Sequence, residues 1–522
     1  MSSTSRGSRL RTARWARGLA TAVVAAVVLT GCAVAQKPAA ESAAPAAPVE
    51  GGTLRVAAAA DAQPQFVMAN RAGNWSWRRL VFDSLIELDK DATPQPLLAT
   101  DWSYNDDRTE LTLTLRDDVA FHSGRAFTAA DVVFSLEQVQ LPANASQLAG
   151  VAKGITSVAA SGDDTVVITL AAPSDSLFDL LDLTPIVDSE TWGAIADGKE
   201  VIGTGPFTWK SWTPGASITL EKNAEYWGDE GPYLDEVDIS IISDTTALQT
   251  ALTSGAADVA LGMAQADVVR LGKDEAYSLL DAGGVFYPFG VDVTQAPFDK
   301  PEARQALSYA IDRERINEQV FGGDGVITDL WWTPGSPGYP TDLATHYTYD
   351  TEKAKSLLDE AGAAGASITI TYANLPVMKS LFEIVQNNLQ EAGLEVTGEA
   401  LDLPDYDKRQ VDGTIGQSFL LLHGMVGFST ATLIDAMPSI RSGNASHFDT
   451  PEYTELKDAV RGADDSTRDA AVKALSEYML DQAFSNIIAV APQYHVQTSA
   501  LQGLRVVSLG SLVATDAFLP EK

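Results

Sequence analysis

Cysteine is almost missing from this chain. Cys32 is the only one in 522 residues, so the sequence can form no internal disulfide and no thiolate metal cage. Histidine is scarce too. His122, His346, His423, His447 and His495 are the full set. None stands beside another His or Cys at zinc-ligand spacing or within an HExxH pattern, which argues against a zinc enzyme. Acidic residues outnumber basic ones, 70 to 36, for a formal net charge of −34. That balance keeps a protein soluble and argues against nucleic acid or anionic lipid as a partner. No Gly-x-Ser-x-Gly elbow is present to expose a nucleophile. The stretch Gly193 to Lys199 approximates a phosphate loop, but Glu200 stands where Ser or Thr should hold magnesium, so a plain turn is expected. Neither catalysis nor a cofactor is expected.

Long apolar runs are missing as well. The longest, Gly18 to Thr30, falls short of the roughly 20 residues a permanent bilayer span needs. It comes after Arg6, Arg9, Arg11, Arg14 and Arg17 with no intervening acid, the pattern of a signal peptide over residues 1–31. The run ends in Leu29-Thr30-Gly31-Cys32, which looks like a lipobox. Small residues admit the peptidase, and the Cys32 thiol becomes the lipidation site, palmitate being an expected acyl chain. Two or three acyl chains anchor stably where one does not. The mature protein is therefore expected on the extracytoplasmic face of the cell membrane, lipid-anchored. Residues 32–50, rich in Ala and Pro, read as a flexible tether, with the folded part beginning near Gly51.

From about Thr53 onward the chain has an α/β pattern, strand-like and helix-like segments alternating without a fixed repeat. Leu111, Leu113 and Leu115 alternate with threonines, the mark of a half-buried antiparallel strand. Thr165 to Leu170, Ser217 to Leu220 and Val237 to Ile242 read likewise. Thr128 with Asp131 forms a capping box, Thr450-Pro451-Glu452 puts Pro at a first helical position, and Asp350 opens a helix that Gly362 ends. The Arg-rich stretch Pro301 to Ile316 reads as one helix of mixed core and solvated faces. Dense turn residues mark Gly203 to Phe207 and the irregular loop Trp332 to Gly338.

Three blocks resemble the family 5 extracellular solute-binding proteins, the oligopeptide-, dipeptide- and nickel-binding group of ABC importers. The first is Leu115 to Gly124 with Thr128 to Ser135. The second is Gly203-Thr204-Gly205-Pro206-Phe207 continuing to Asn223-Ala224-Glu225-Tyr226-Trp227-Gly228. The third is Ala296-Pro297-Phe298-Asp299 through Arg304 to Arg313. Their order fits the family over the whole mature chain, and the lipobox fits its Gram-positive members. The resemblance implies a bilobed, type II periplasmic-binding-protein-like clamp with an additional inserted domain. Domain I would comprise 51–85, 201–292 and 495–522, domain II the insert 86–200, and domain III 293–494. It also implies a monomer that captures a small solute, by default a short peptide, and passes it to membrane permease subunits. An oligosaccharide or other non-peptide metabolite is the alternative, as is a receptor presenting ligand to a membrane sensor.

In peptide-binding relatives an Asp in a Trp-containing loop of domain III takes the peptide's amino group. The corresponding stretch here, Leu421 to Thr430, has no carboxylate, and a buried ammonium without a counter-ion costs several kcal/mol. Either the solute lacks a free amine or another acid, Asp292 or Asp329, supplies the charge. Aromatic and polar residues in irregular segments complete the expected ligand set: Asn74, Trp75, Trp331, Trp332, His423, Met425 and Phe428. His122, within the first block, is expected to hold structure. From the lipobox we predict that Cys32→Ser abolishes lipid attachment; palmitate label persisting in that variant would refute it.

Overall fold

Side-chain alternation sets the small sheet. Leu111, Leu113 and Leu115 are buried along Glu110–Leu115, which pairs antiparallel with Ala99–Tyr104 on one side and Thr165–Leu170 on the other. Ile155–Ala160 completes the four strands. The helix Ala129–Gln140 covers this sheet, and Asp131 accepts from the Thr128 amide at 3.1 Å, as the capping box requires. The other two starts hold as well: Asp350 accepts from the Lys353 amide at 2.9 Å and Thr450 Oγ1 from the Tyr453 amide at 3.0 Å. This computed structural model describes residues 47–69, 71–89 and 92–520, so Cys32, the expected signal peptide and most of the tether lie outside it. By Glu50 the chain has joined the fold, with Lys222 Nζ 2.9 Å from its carboxylate and the Gly51 amide on Tyr233 O at 2.7 Å.

A ten-stranded mixed sheet unites the rest. Its order is Glu395–Leu401, Ser367–Ala373, Ser418–Leu420, Tyr277–Val291, Ser485–Thr498, Val259–Leu261, Thr53–Ala58, Glu236–Ile241, Ser217–Lys222, Phe207–Thr213. The two long central strands run through both halves. Residues 277–281 pair with 498–494, 284–287 with 492–489 and 288–290 with 487–485, the register shifting between 287 and 288 and, before that, between 281 and 284. A bulge there bends the ribbon. Gly283 sits in it at φ +86°, and a Cβ on Gly284 would come 2.7 Å from Ala491 O, so only glycine admits this approach. The expected boundary at 292 meets a strand end, while that at 494 falls inside Ser485–Thr498.

The first two sequence blocks meet at one knot. His122 Nε2 lies 2.9 Å from Gly205 O, and the His122 amide donates to Gly203 O at 2.8 Å. Thr204 Oγ1 and Trp227 Nε1 both reach Asp83 Oδ2 at 2.9 Å. A Cβ on Gly203 would stand 2.0 Å from Val81 O, which is why this turn carries glycine. In the third block the expected single helix is two, Pro301–Ala310 and Arg313–Phe321. Asp312 breaks it by capping the second, accepting from the Arg315 amide at 2.9 Å. Arg304 and Arg313 are buried rather than solvated. Arg304 donates to Gln482 O at 2.6 Å and Phe298 O at 2.9 Å, and Arg313 lies 2.8 Å from Asp329.

Trp331 and Trp332 are core residues, not cleft residues. They are 2 % and 1 % exposed, and their indole N–H groups donate to Ser485 O at 3.0 Å and Ser476 Oγ at 3.1 Å. Both polar tips are satisfied inside, so nothing draws the rings to a surface. We therefore predict that Trp332→Ala acts on stability, costing about 3–5 kcal/mol in chemical denaturation by leaving a cavity. A variant as stable as wild type would place the ring outside the core.

Candidate ligand-binding cavity

A cavity of about 970 Å³ lies between the halves of the fold. One wall comes from the segment Ala145 to Gln147 and the short helix Ala149–Ala152 with Lys153 after it. The bulged crossover supplies the floor through Ala282, Gly284, Val285 and Gln493, with Trp75 and Leu509 beside it. The facing wall comes from Asp407 and Gln410 on the helix Leu403–Val411, from Leu422 to Met425, and from Asp435 to Ser442. The closeness of the walls is built in. A Cβ on Gly150 would approach Asp435 O to 2.6 Å, so the helix Ala149–Ala152 touches the end of the helix Thr430–Ala436 only because that position is bare.

Three of the residues expected from sequence line this space: Trp75, His423 and Met425. Trp75 is half-buried, its ring 6.0 Å from that of His495, and its indole N–H has no hydrogen-bond partner among the described residues. His423 is buried with Nε2 2.7 Å from Ser439 Oγ. Burial, aided by the nearby Arg441, pushes its pKa down to about 3, so the ring is neutral. Met425 reaches the wall from a left-handed backbone, φ +72°.

The other expected residues are elsewhere, each for a visible reason. Asn74 is fully buried and ties its own loop, accepting from the Gln63 amide at 3.0 Å and donating to Phe66 O at 3.1 Å. Asp292 accepts from Thr294 Oγ1 at 2.7 Å and Gln295 Nε2 at 2.6 Å and lies 3.1 Å from His447 Nδ1. Those bonds hold its carboxyl below the usual range against the opposing effect of burial, which is the largest single influence. Asp329, the other acid considered, is consumed by Arg313 and the Tyr347 amide at 2.7 Å. Phe428 packs in the core, as do Trp331 and Trp332. Sequence reasoning missed Lys153, Asp407 and Arg441, because a charged residue in a loop or at a helix end carries no mark of what it will face.

A second set of contacts spans the halves away from the cavity. The carboxylate of Asp179, on the helix Leu177–Leu183, accepts from Ser429 Oγ at 2.6 Å, from the Ser429 amide at 3.3 Å and from Thr432 Oγ1. Asp175 takes Arg468 at 2.8 Å and lies 3.7 Å from Arg108, which donates to Ala463 O at 3.0 Å. The Asp179 bonds tie the end of the loop bearing His423 and Met425 to the helix Leu177–Leu183.

A two-lobed clamp with a crossover floor and a ligand-sized cavity between its halves defines a binding protein of the periplasmic type. The family of bacterial extracellular solute-binding proteins, family 5 Middle, matches residues 93–432, more than half of the chain, and the chain belongs to this family. It is 29% identical over 414 residues to the heme-binding protein A of Haemophilus influenzae, covering 72% of this chain and 75% of that one. It is 27% identical over 333 residues to the glutathione-binding protein GsiB of Salmonella typhi, covering 62% of this chain and 64% of that one. The ABC transporter-associated periplasmic binding protein DppA of Helicobacter pylori, solved with the peptide STSA, superposes with a TM-score of 0.76. Its identity is 23% over 91% of this chain and 99% of that one, a likeness of fold. These relatives are binding proteins, not enzymes. Among the described residues no helix is long and apolar enough to cross a membrane.

Burial raises the pKa of Asp179 from 3.8 to about 6, the bonds from Ser429 and Thr432 opposing it only in part. A raised carboxyl stabilises the folded form below its unfolded value and loses that contribution as pH rises through its folded value. Compared with Asp179→Asn, the wild-type protein should therefore lose about 2–3 kcal/mol of unfolding free energy between pH 4 and pH 7. A difference that stays constant across that window would mean that the carboxyl titrates normally.

Proposed function

We propose that this protein is the substrate-binding subunit of an ABC importer, lipid-anchored through Cys32, which captures a small solute between its lobes and delivers it to a membrane permease. The observation carrying this reading is the cavity of about 970 Å³, walled by both halves and floored by the strands that join them. Closure buries the solute and creates a surface that a permease distinguishes from the open form, which requires tighter binding to the closed state. A short peptide is the default solute, in keeping with the family and with a cavity that mixes apolar walls with Ser146, Gln410 and Gln493. The tether raises the local concentration of the clamp at its membrane partner without changing its affinity.

The missing carboxylate in 421–430 favours a second reading, a solute without a free amine. The acid nearest in role is Asp407, at the cavity wall and exposed, with a pKa raised by burial of its carboxyl and opposed by Arg71. We predict that mass spectrometry of material released from the purified protein finds one small solute at near-stoichiometric amount. We also expect its re-addition to raise the unfolding temperature by mass action. No released compound, together with no thermal response to peptides, sugars or a metabolite extract, would overturn the capture reading.

A further inference from the structure

One buried acid joins the supports of two cavity walls without a cation. Asp179 is 5 % exposed, and its donors, Ser429 Oγ, the Ser429 amide and Thr432 Oγ1, are all neutral. They form the first turn of the helix Thr430–Ala436, whose far end lines the cavity with Asp435 and Ala436. On its other side the helix Leu177–Leu183 packs on Ala149–Ala152, where Ala149 and Gly150 line the opposite wall. The Asp179 carboxylate therefore sits where the two supports meet, and parting them would return it to water.

Other buried acids are held differently. Asp182 has Arg79 at 3.0 Å, Asp188 has Arg125 at 2.7 Å and Asp329 has Arg313 at 2.8 Å. Asp83 also takes neutral donors, but those, Thr204 and Trp227, stand in the knot of the first two sequence blocks. A carboxylate shut away from water by neutral groups loses hydration without an ion pair to offset it. That burial is what raises Asp179 to about 6. The charges nearby do not reverse the effect. Asp182, on the same helix, adds to the rise, and its partner Arg79 also lies 3.9 Å from Glu87 on the strand Ile86–Leu88. Asp175, ahead of the helix, has Arg468 at 2.8 Å and Arg108 at 3.7 Å. The one titratable group on the helix Thr430–Ala436, Asp435, is taken by Arg461 at 2.6 Å, and Lys153 beyond Ala149–Ala152 is exposed. With the walls parted, a hydrated Asp179 carboxyl has its ordinary acid strength, so the engaged form holds the proton more tightly.

We infer that bringing these walls together takes up a proton at Asp179, so that the clamp engages more readily in mildly acid medium than at neutral pH, whatever the solute. The inference takes from the capture reading only that the walls part to admit a solute. For one carboxyl moving from ordinary strength to about 6, engagement is favoured about tenfold more at pH 5 than at pH 7.5. A binding protein outside the membrane meets the acidity of its surroundings directly, and this linkage tightens capture where the medium is acid.

The test measures the distance between the two sides in purified protein freed of solute in mild denaturant and refolded. Cys32 is the only cysteine, so Cys32→Ser with Glu137→Cys and Glu455→Cys gives a single spin-label pair. Both positions are exposed, one on the helix Ala129–Gln140 and the other on Pro451–Arg461. From pH 7.5 to pH 5 the ratio of short-distance to long-distance populations should rise about tenfold when Asp179 is present. Asp179→Asn should give one ratio at every pH; should it fail to fold, Asp179→Ala, expected to be equally flat, decides. If the protein shows a single population throughout, Arg468→Gln, which breaks the ion pair to Asp175 and favours parted walls, is measured in its place. A ratio that stays constant with pH, or a pH dependence that survives loss of the Asp179 carboxyl, overturns the inference. No solute is added, so either result leaves the capture reading intact.

Discussion

Two antiparallel strands, Tyr277–Val291 and Ser485–Thr498, connect the halves of the fold through a ladder whose register shifts at a glycine bulge and again between Tyr287 and Pro288. A ladder resists stretching and shear but bends where its register shifts, and Gly283 and Gly284 occupy that place. The cavity is arranged around it: the bulged segment forms its floor and the walls stand on either side.

Across the opening, Asp179 holds Ser429 and Thr432, and Asp175 holds Arg468, so carboxylates of one side are tied to residues of the other. A solute bound between the lobes shifts such a clamp only by the difference in its affinity for the open and closed forms, which is how differential affinity becomes selectivity.

Local features were well written in the sequence. The alternation at Leu111, Leu113 and Leu115, the capping residues Thr128, Asp350 and Thr450, and the structural part played by His122 all depend on near neighbours or on a backbone turn, and each has the form its residues implied. The ligand set was less legible. Trp331 and Trp332, flanked by Pro and Gly, read as loop aromatics, yet loop backbone does not keep a ring at the surface when Ser485 O and Ser476 Oγ wait inside for its N–H. Asp292 and Asp329 read as free acids and prove to be spent on neighbours, Asp329 on Arg313 from a helix earlier in the chain.

By itself the sequence determined the fold class, the scarcity of sulfur and histidine chemistry, and the three blocks that place the chain among family 5 solute-binding proteins, because these are properties of composition and local pattern. Tertiary structure alone decided which charges are left unpaired. Pairing depends on what lies across a gap: Arg461 reaches Asp435 over 26 positions and Arg468 reaches Asp175 over 293. Arg441 and Lys153 are left facing the cavity because, among the described residues, no acid is folded within pairing distance of either.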